Sequence, residues 1–342
     1  MARRIAVLAT GANGSCIAAD LTAAGLDVTL VDQWPAHVEA MRAGGLTVRT
    51  RDGETTLPVR AHHLCDLCAL SPVFDVVLLA CKAYDARWMA EFIKPYLAAD
   101  GLLLGVQNGM TAEMLAEVVG PERTVGCVVE LASQMFEPGL ITRSTVREKT
   151  WFGVGAFHPS QSAKVAIAAE VIGHAGRVEV SDDILSAKWM KLIVNAMTMG
   201  LKAVLGATNA QVAEMSGVRE LFLGAGAEAL EAGQRLGYRV VPIFGLSADQ
   251  VQNTNTLLEL LLDKLTRDVG PSAINTVLQD LMKGRLSEVD LINGLVADTL
   301  QVSGRPAPVN GAITALARQI HAGALQPGPE NLDRIRDLAG LA

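Results

Sequence analysis

The sequence predicts a mixed α/β fold, with an N-terminal Rossmann-type dinucleotide-binding domain followed by an all-helical C-terminal domain. Three observations indicate this fold class. Short apolar runs alternate with helical patterns in the first half of the chain. A glycine-containing turn joins the first apolar run to the first helix, and strand-like runs nearly vanish after Val180. We therefore place the domain boundary near residue 182, which gives domains over 1–182 and 183–342.

Apolar runs of the first half have the length and composition of buried strands. They are Ile5–Leu8, Val28–Val31, Phe74–Cys81, Leu102–Val106 and Val125–Val129. Helical patterns lie between several of them, at Ser15–Ala24, Ala36–Ala43, Ala86–Tyr96 and Ala112–Val119. This alternation predicts a mostly parallel sheet that is covered on both faces. Further elements are predicted as strands at Leu140–Thr142, Trp151–Val154 and Val178–Val180, and as a helix from Ser160.

The second half of the chain reads as helices separated by glycine and proline. The helical patterns cover about 183–205, 217–237, 247–267, 287–303 and 308–321. A cleft between two such domains is a common place for a small-molecule site.

Composition excludes several classes of function. Of the 342 residues, 50% are hydrophobic, which is enough for a large core and excludes a mainly disordered protein. The net charge is −7 and aromatic residues make up only 4%, so nucleic-acid binding is not expected. The longest uncharged stretch, Ile5–Ala19, is shorter than the about 20 apolar residues of a membrane helix, so no membrane segment is expected. Five cysteines, an odd number, argue against a disulfide framework and predict a cytoplasmic protein.

The turn after the first predicted strand carries a dinucleotide-binding motif with its first glycine replaced. It reads Ala9, Thr10, Gly11, Ala12, Asn13 and Gly14. In this motif the second glycine lets the backbone approach the pyrophosphate, and the third lets the helix pack against the strand. Asp32 ends the second predicted strand, where a carboxylate accepts both ribose hydroxyls and repels a 2′-phosphate. The alternative is an ordinary strand–helix turn with Asp32 as a helix cap.

Polar residues follow two other predicted strands of the sheet. Lys82 ends the run Phe74–Cys81, and Asn108 follows Leu102–Val106 within Gln107-Asn108-Gly109. Ligands of parallel sheets bind beyond the carboxyl ends of the strands, so both side chains are expected near the cofactor. The alternatives are a solvated lysine and a turn-forming Asn-Gly pair.

The first helix of the C-terminal half carries the candidate catalytic residue. Lys191 and Asn195 are four residues apart and share one helix face. A lysine on a largely buried helix can give up a proton to a developing alkoxide. Its alternative is a lysine at the helix edge whose ammonium reaches solvent. Glu288 opens a later helix, where an acid in the first turn commonly stabilises the helix dipole.

Taken in order, these motifs resemble the ketopantoate reductase family of two-domain oxidoreductases. The resemblance rests on residues 9–14, 81–85, 107–109, 189–192 with Asn195, 278–280, 287–294 and 306–310. It implies that Lys191 is the catalytic lysine, that Asn195 and Thr276 bind substrate, and that Glu288 contacts cofactor or substrate hydroxyls. It also implies that Asn108 holds the nicotinamide end and orients substrate, and that Lys82 lies near the cofactor ribose.

Several positions depart from the family pattern. Met199-Gly200 stands where the family commonly has Asn-Pro, and Ala273 replaces a further asparagine, for which Asn275 is a candidate substitute. Typical members carry a basic residue after the second strand and prefer NADP, whereas this chain has Asp32. The departures favour NAD(H) over NADP(H) and leave the substrate open.

The resemblance predicts hydride transfer between NADH and a 2-oxo acid such as 2-dehydropantoate, which implies a role in pantothenate biosynthesis. The partner is a small-molecule 2-oxo or 2-hydroxy acid, and a homodimer is the expected assembly. One alternative is a related dehydrogenase of another small hydroxy acid, and another is a non-catalytic NAD(H)-binding sensor.

One cysteine-containing segment has a metal-like pattern that we discount. The segment His62-His63-Leu64-Cys65-Asp66-Leu67-Cys68 lacks a second Cys pair, so we predict no metal site, only a loop and a short helix. A metal or thiol sensor built on Cys65 and Cys68 is the weakest alternative. Cys16, near the first helix N-terminus, is expected to be a packed small residue rather than a thiol of lowered pKa.

Overall fold

The computed structural model describes residues 2–252, 254–269 and 274–341. The chain divides into two compact units, Met1–Leu185 and Ser186–Ala342. None of the helices in the described part of the chain combines the length and apolarity that a bilayer-spanning segment needs.

The N-terminal unit contains twelve strands in the part of the chain that the structure describes. They are β1 (Arg4–Leu8), β2 (Asp27–Asp32), β3 (Leu46–Thr50), β4 (Gly53–Leu57), β5 (Arg60–His63), β6 (Phe74–Leu79), β7 (Leu97–Gly105), β8 (Thr124–Glu130), β9 (Ser133–Glu137), β10 (Leu140–Arg143), β11 (Trp151–Gly155) and β12 (Arg177–Val180). Its helices are α1 (Ala12–Ala23), α2 (Pro35–Gly44), α3 (Asp66–Leu70), α4 (Ala86–Ile93), α5 (Ala112–Val119) and α6 (Ser162–Gly173).

Eight of the strands form one large sheet, in the order β12-β11-β8-β7-β6-β1-β2-β5. Its neighbouring pairs are parallel except β8 and β11, which run antiparallel. The predicted mostly parallel sheet and the α/β fold class are confirmed.

Both faces of the large sheet are buried, which explains why its strands read as continuous apolar runs. Ile5 and Val7 of β1 lie in one apolar cluster with residues of α1 and α6. Ala6 and Leu8 lie in a second cluster with residues of α4 and α5. Alternate residues of one strand therefore contribute to cores on opposite sides of the sheet.

A second sheet of four strands, in the order β4-β3-β10-β9, was not predicted beyond its strand at 140–143. Leu46, Met135 and Ile141 of this sheet share an apolar cluster with α1. Because α1 is covered by both sheets, it lacks a clear polar face. The sequence signal was weak because β4 is largely exposed and carries mostly polar residues.

The structure corrects three predicted boundaries in the N-terminal unit. The helix predicted over Ala86–Tyr96 ends at Ile93, because Pro95 has no N–H to continue it. Strand β7 consequently begins at Leu97 rather than Leu102. Residues 62 and 63, predicted as loop, form the end of strand β5, and the predicted short helix follows as α3.

Helices make up the second unit. They are α7 (Ile184–Val204), which begins just before the unit, α8 (Asn209–Ala213), α9 (Val218–Arg235), α10 (Ala248–Gln252), α11 (Thr254–Val269), α12 (Thr276–Met282), α13 (Leu295–Val302), α14 (Pro308–His321) and α15 (Asn331–Ala339). The predicted pattern over 247–267 falls on α10 and α11, and residue 253 between them lies outside the described residues. The pattern over 287–303 begins with a π-helical turn, Asp290–Gly294, that leads into α13. The short helices α8, α12 and α15 were not predicted.

Candidate functional site

The predicted cofactor residues of the N-terminal unit follow strands that end level with one another. Leu79 at the end of β6 pairs with Leu8 of β1 and with Gly105 of β7. Strands β6 and β7 end at the paired residues Leu79 and Gly105. Lys82 and Asn108 each follow three residues later, so they occupy equivalent positions beyond the ends of neighbouring strands. The motif at 9–14 follows β1, and Asp32 ends the adjacent strand β2. One edge of the sheet thus carries these residues together, where ligands of such sheets bind.

The three glycine positions of the motif meet different surroundings. Ala9, in place of the first glycine, has a left-handed backbone with φ of 63°. A Cβ on Gly14 would lie 2.8 Å from the carbonyl oxygen of Ala9 and 3.0 Å from the Cβ of Ala80, so this position has no room for a side chain. A Cβ on Gly11 would meet no atom within 4 Å. The backbone at Gly11 is therefore open to a ligand, as pyrophosphate binding at the N-terminus of α1 requires.

A buried histidine that sequence reasoning missed holds the motif in place. Nε2 of His37 lies 2.9 Å from the carbonyl oxygen of Thr10, which also accepts a hydrogen bond from Ser15 Oγ at 2.6 Å. The backbone N–H of Gly139 donates to Nδ1 of His37 at 2.9 Å. Because Nδ1 accepts, the ring is neutral with its proton on Nε2, which donates to Thr10. Burial lowers the pKa of His37, which favours this neutral form.

Asp32 is buried and takes part in the structure of the loop. Its Oδ1 accepts the backbone N–H of Trp34 at 2.7 Å, and its Oδ2 accepts the hydroxyl of Thr10 at 3.2 Å. Burial raises the pKa of the Asp32 carboxyl, while these hydrogen bonds oppose the shift. The fold uses three acceptor positions, since the backbone of Thr10 also donates to this carboxylate, and a carboxylate has about four, so some capacity for ribose hydroxyls remains. The bond to Trp34, which immediately precedes α2, is not a helix cap, since no side chain caps the N-terminus of this helix.

Other motif side chains link neighbouring elements. Asn13 Oδ1 accepts a hydrogen bond from Ser133 Oγ at 2.5 Å, which ties the first turn of α1 to β9. Gln107, next to Asn108, is buried and donates from Nε2 to the carbonyl oxygen of Leu79 at 2.8 Å. Thr111 donates to the other end of that amide at 3.2 Å. The loop that carries Asn108 is thereby fixed to the end of β6.

In the helical unit, the structure brings an aromatic ring to Lys191. Nζ of Lys191 lies 4.8 Å from the centre of the Phe244 ring, which is the geometry of a cation–π contact. Phe244 is buried and has a left-handed backbone with φ of 58°, which is rare for a bulky residue. Asn195, one turn after Lys191 on α7, is also buried. Sequence reasoning missed Phe244, because nothing in the chain between the two residues signals that they meet.

Close packing explains part of the departure at Met199-Gly200. A Cβ on Gly200 would lie 2.4 Å from Asn293 Oδ1 and 2.6 Å from a methyl carbon of Ile313, so only glycine fits there. Asn293 in turn donates to the carbonyl oxygen of Ala196 at 2.9 Å and to Asn310 Oδ1 at 2.8 Å. The π-helical turn and α14 therefore pack directly on α7.

Asn275, considered as a substitute for the asparagine missing at Ala273, has a structural role. Its Oδ1 caps α12 by accepting the N–H of Leu278 at 2.9 Å, and its Nδ2 donates to the carbonyl oxygen of Met199 at 3.1 Å. Ala273 itself lies outside the described residues.

The two remaining predicted residues lie at the starts of helical segments. Thr276 is the first residue of α12, and its buried Oγ1 makes no hydrogen bond to any residue that the structure describes. Glu288 is buried and precedes the π-helical turn, where its carbonyl oxygen accepts the N–H of Leu291 at 3.0 Å.

The metal-like segment and Cys16 have the following surroundings. Across residues 2–252, 254–269 and 274–341, no group of three or more His, Cys, Asp or Glu side chains is placed to hold a metal ion. His62 and His63 each face a carboxylate, from Asp66 at 3.7 Å and from Glu39 at 2.6 Å. Burial raises the pKa of the Cys16 thiol to about 12, which agrees with a packed residue.

Comparison with known proteins decides the family. The model of the ketopantoate reductase PanE/ApbA family matches residues 5–156, and the model of that family's C-terminal part matches residues 183–321. The chain belongs to the ketopantoate reductase family. The predicted resemblance is confirmed. The predicted enzyme class, an NAD(P)-dependent oxidoreductase that acts on CH–OH groups, is confirmed as well.

Individual relatives cover nearly the whole chain. A 2-dehydropantoate 2-reductase of Mesorhizobium japonicum is 29% identical over 340 residues, which cover 93% of this chain and 97% of that protein. The solved ketopantoate reductase from Ralstonia eutropha JMP134 is 27% identical, with a TM-score of 0.78 over 94% of this chain and 99% of that one. A D-mandelate dehydrogenase solved with NADH and anilino(oxo)acetate has a TM-score of 0.83 over 94% of this chain and 99% of that one; at 19% identity it shares the fold.

Proposed function

We propose that this ketopantoate reductase family member reduces a 2-oxo acid with NADH, that 2-dehydropantoate is the reference substrate, and that Lys191 is the general acid. Bound NADH supplies the hydride, which goes to the carbonyl carbon of the substrate. The ammonium of Lys191 donates a proton to the carbonyl oxygen, so that the products are the 2-hydroxy acid and NAD⁺. Asn195 and the hydroxyl of Thr276 bind the substrate, and Glu288 contacts a hydroxyl of substrate or cofactor.

The observation that carries this proposal is the contact between Lys191 Nζ and the Phe244 ring, 4.8 Å from its centre. The face of an aromatic ring attracts a cation, so it favours the protonated lysine that an acid catalyst needs. It also restricts a long side chain to one direction, which lowers the entropy cost of positioning the proton. Asn195 shares the helix face of Lys191 and is buried, as expected of a residue that binds a substrate oxygen.

The proposed cofactor site on the N-terminal unit rests on the open backbone at Gly11 and on Asp32. A pyrophosphate fits above Gly11, where a Cβ would meet nothing within 4 Å. The remaining acceptor capacity of Asp32 suits ribose hydroxyls, and its negative charge opposes a 2′-phosphate. We therefore propose NADH as the preferred cofactor. Lys82 and Asn108, at equivalent strand ends, are proposed to contact the ribose and the nicotinamide end.

A second candidate is the dehydrogenation of a different 2-hydroxy acid, and Met199 favours it. This buried thioether lies one turn beyond Asn195 on α7, where the family commonly has a carboxamide. A substrate site with a thioether in place of a carboxamide recognises a substrate hydroxyl less well. The same site accommodates an apolar substituent more readily. The D-mandelate dehydrogenase that shares this fold is named for a 2-hydroxy acid with an aromatic, apolar substituent.

The test measures oxidation of NADH and of NADPH by the purified protein with 2-dehydropantoate, 2-oxoisovalerate and phenylglyoxylate. Turnover of 2-dehydropantoate with the highest kcat/KM supports the first candidate, and preference for phenylglyoxylate supports the second. NADH binding without turnover of any 2-oxo acid contradicts both and favours a non-catalytic sensor.

The role of Lys191 is tested by Lys191→Ala, with Lys283→Ala, directly after α12, as the control. We expect Lys191→Ala to lower kcat by about 10²-fold or more and to leave the Kd of NADH unchanged. Wild-type turnover in Lys191→Ala would show that another group supplies the proton.

A further inference from the structure

The helical unit contains a pocket that the proposed reaction does not use. It has a volume of about 210 Å³ and lies among α7, α8, α9 and α11. Lys202 of α7 and Asn209 of α8 line it, and neither Lys191 nor Asn195 does. Lys202 is eleven residues after Lys191 on the same helix, which separates their Cα atoms by about 16 Å along the axis.

Lys202 is a buried cation without a carboxylate partner among the described residues. The residue is 7% exposed, and its Nζ donates to Asn209 Oδ1 at 2.6 Å. Burial lowers the pKa of Lys202 to about 8, and no acid among the described residues opposes this shift. The acid that lines the pocket, Asp263, is paired instead with Arg219 at 2.9 Å. An ammonium has three donors, so two of them are left for a ligand.

The walls of the pocket decide what kind of anion fits. Val212, Phe222 and Leu262 line it with apolar surface. Arg219 and Asp263 have side chains that are 50% and 59% exposed, so this side of the pocket opens to solvent. The volume is smaller than the about 300 Å³ at which sites for drug-sized ligands begin. One buried positive charge, apolar walls and a small volume together match a small organic acid with a single charge.

We propose that this pocket binds a small aliphatic or aromatic monocarboxylate through Lys202, at a site separate from the reaction of Lys191. The carboxylate accepts hydrogen bonds from the Lys202 ammonium, and its hydrocarbon part contacts Val212, Phe222 and Leu262. Binding supplies the counterion that the fold itself does not provide for a buried lysine.

The experiment uses the full chain carrying Asn195→Ala, because Asn195 is proposed to bind the substrate, so that carboxylate binding at the reaction site is weakened. Isovalerate and benzoate are titrated by calorimetry, beside the uncharged amides of the same acids. We expect saturable binding of at least one acid and binding of its amide that is weaker by about tenfold or more, because a charge-assisted hydrogen bond is lost. An amide that binds as tightly as its acid, or the absence of binding by both acids, overturns the proposal.

A second variant identifies the lysine. Lys202→Met keeps the length of the side chain and removes the charge, and such replacements of buried charges are often neutral for folding. Lys283→Met is the matched control. We expect carboxylate affinity to fall by about tenfold or more in Lys202→Met and to stay unchanged in the control. Unchanged affinity in a folded Lys202→Met protein contradicts the assignment, and the comparison of acid with amide decides the matter if this variant does not fold.

Discussion

Replacing Gly11 or Gly14, the two glycines of the nucleotide motif, with alanine should have different effects. Gly14→Ala should lower stability, whereas Gly11→Ala should weaken NADH binding. In Gly14→Ala the new Cβ would lie 2.8 Å from the carbonyl oxygen of Ala9 and 3.0 Å from the Cβ of Ala80. Neither neighbour is the end of a flexible side chain, so the strand or the helix must shift. In Gly11→Ala the new Cβ meets no atom within 4 Å, and the backbone φ of −59° is one that alanine adopts readily.

The size of each effect follows from these contacts. Overpacking of a close-packed site costs about 1–3 kcal/mol. For a unit of 185 residues this lowers the melting temperature of Gly14→Ala by about 2–12 °C. Gly11→Ala should melt at the wild-type temperature or slightly above, since alanine reduces the entropy of the unfolded chain by about 0.4–1 kcal/mol. Its Cβ instead occupies the space of the approaching pyrophosphate, so the Kd of NADH should rise by about tenfold or more.

Melting is followed by tryptophan fluorescence without ligand, and NADH affinity by titration of the nicotinamide fluorescence. Gly14→Ala that melts within about 1 °C of wild type would refute the close contact of helix and strand. Gly11→Ala that binds NADH with wild-type affinity would refute backbone recognition of the pyrophosphate at this turn.

Four further predictions concern single side chains. Ala9→Gly should relieve the strain of a left-handed backbone and raise the free energy of unfolding, measured with urea, by up to about 1 kcal/mol. A clear fall in this free energy would show that Ala9 is not strained. Phe244→Leu should lower kcat by about 2- to 30-fold without changing the Kd of NADH, the range that a cation–π contact is worth; an unchanged kcat would remove Phe244 from the positioning of Lys191. Asp32→Asn should shift the ratio of kcat/KM for NADH over NADPH towards NADPH by about tenfold or more, and an unchanged ratio would remove Asp32 from cofactor choice. Burial lowers the pKa of His37 below its ordinary 6.5, so the unfolded chain takes up a proton first and stability falls as the pH drops through that value. Urea unfolding between pH 7.5 and 5.5 should show a smaller fall in the free energy of unfolding for His37→Gln than for the wild type. Asp32, whose pKa burial raises, acts in the opposite direction.

The positions of the proposed cofactor residues were predictable because strand ends in a parallel sheet are set by local pattern. Phe74–Leu79 and Leu97–Gly105 are apolar enough to be recognised, and residues three positions beyond each end fall at one edge by register. The glycine spacing then places a helix N-terminus at that edge. By contrast, β3 and β4 were missed because their residues are mostly polar and only partly buried.

Contacts between residues that are far apart in the chain could not be predicted from the sequence. His37 of α2 meets Thr10 and Gly139 because the turn between β9 and β10 packs against α2, and nothing local to any of the three residues encodes that approach. Asn275 had the residue type of a substrate ligand but acts as a helix cap, since its neighbours leave the N–H of Leu278 to be satisfied.

The sequence by itself determined the fold class, the nucleotide motif with its carboxylate, and the helix face shared by Lys191 and Asn195, because period and spacing act over a few residues. Only the tertiary structure decided which side chains surround those residues. Phe244 reaches Lys191, Asn293 leaves room only for Gly200, and Lys202 is buried without a carboxylate among the described residues, since packing of whole helices sets each contact.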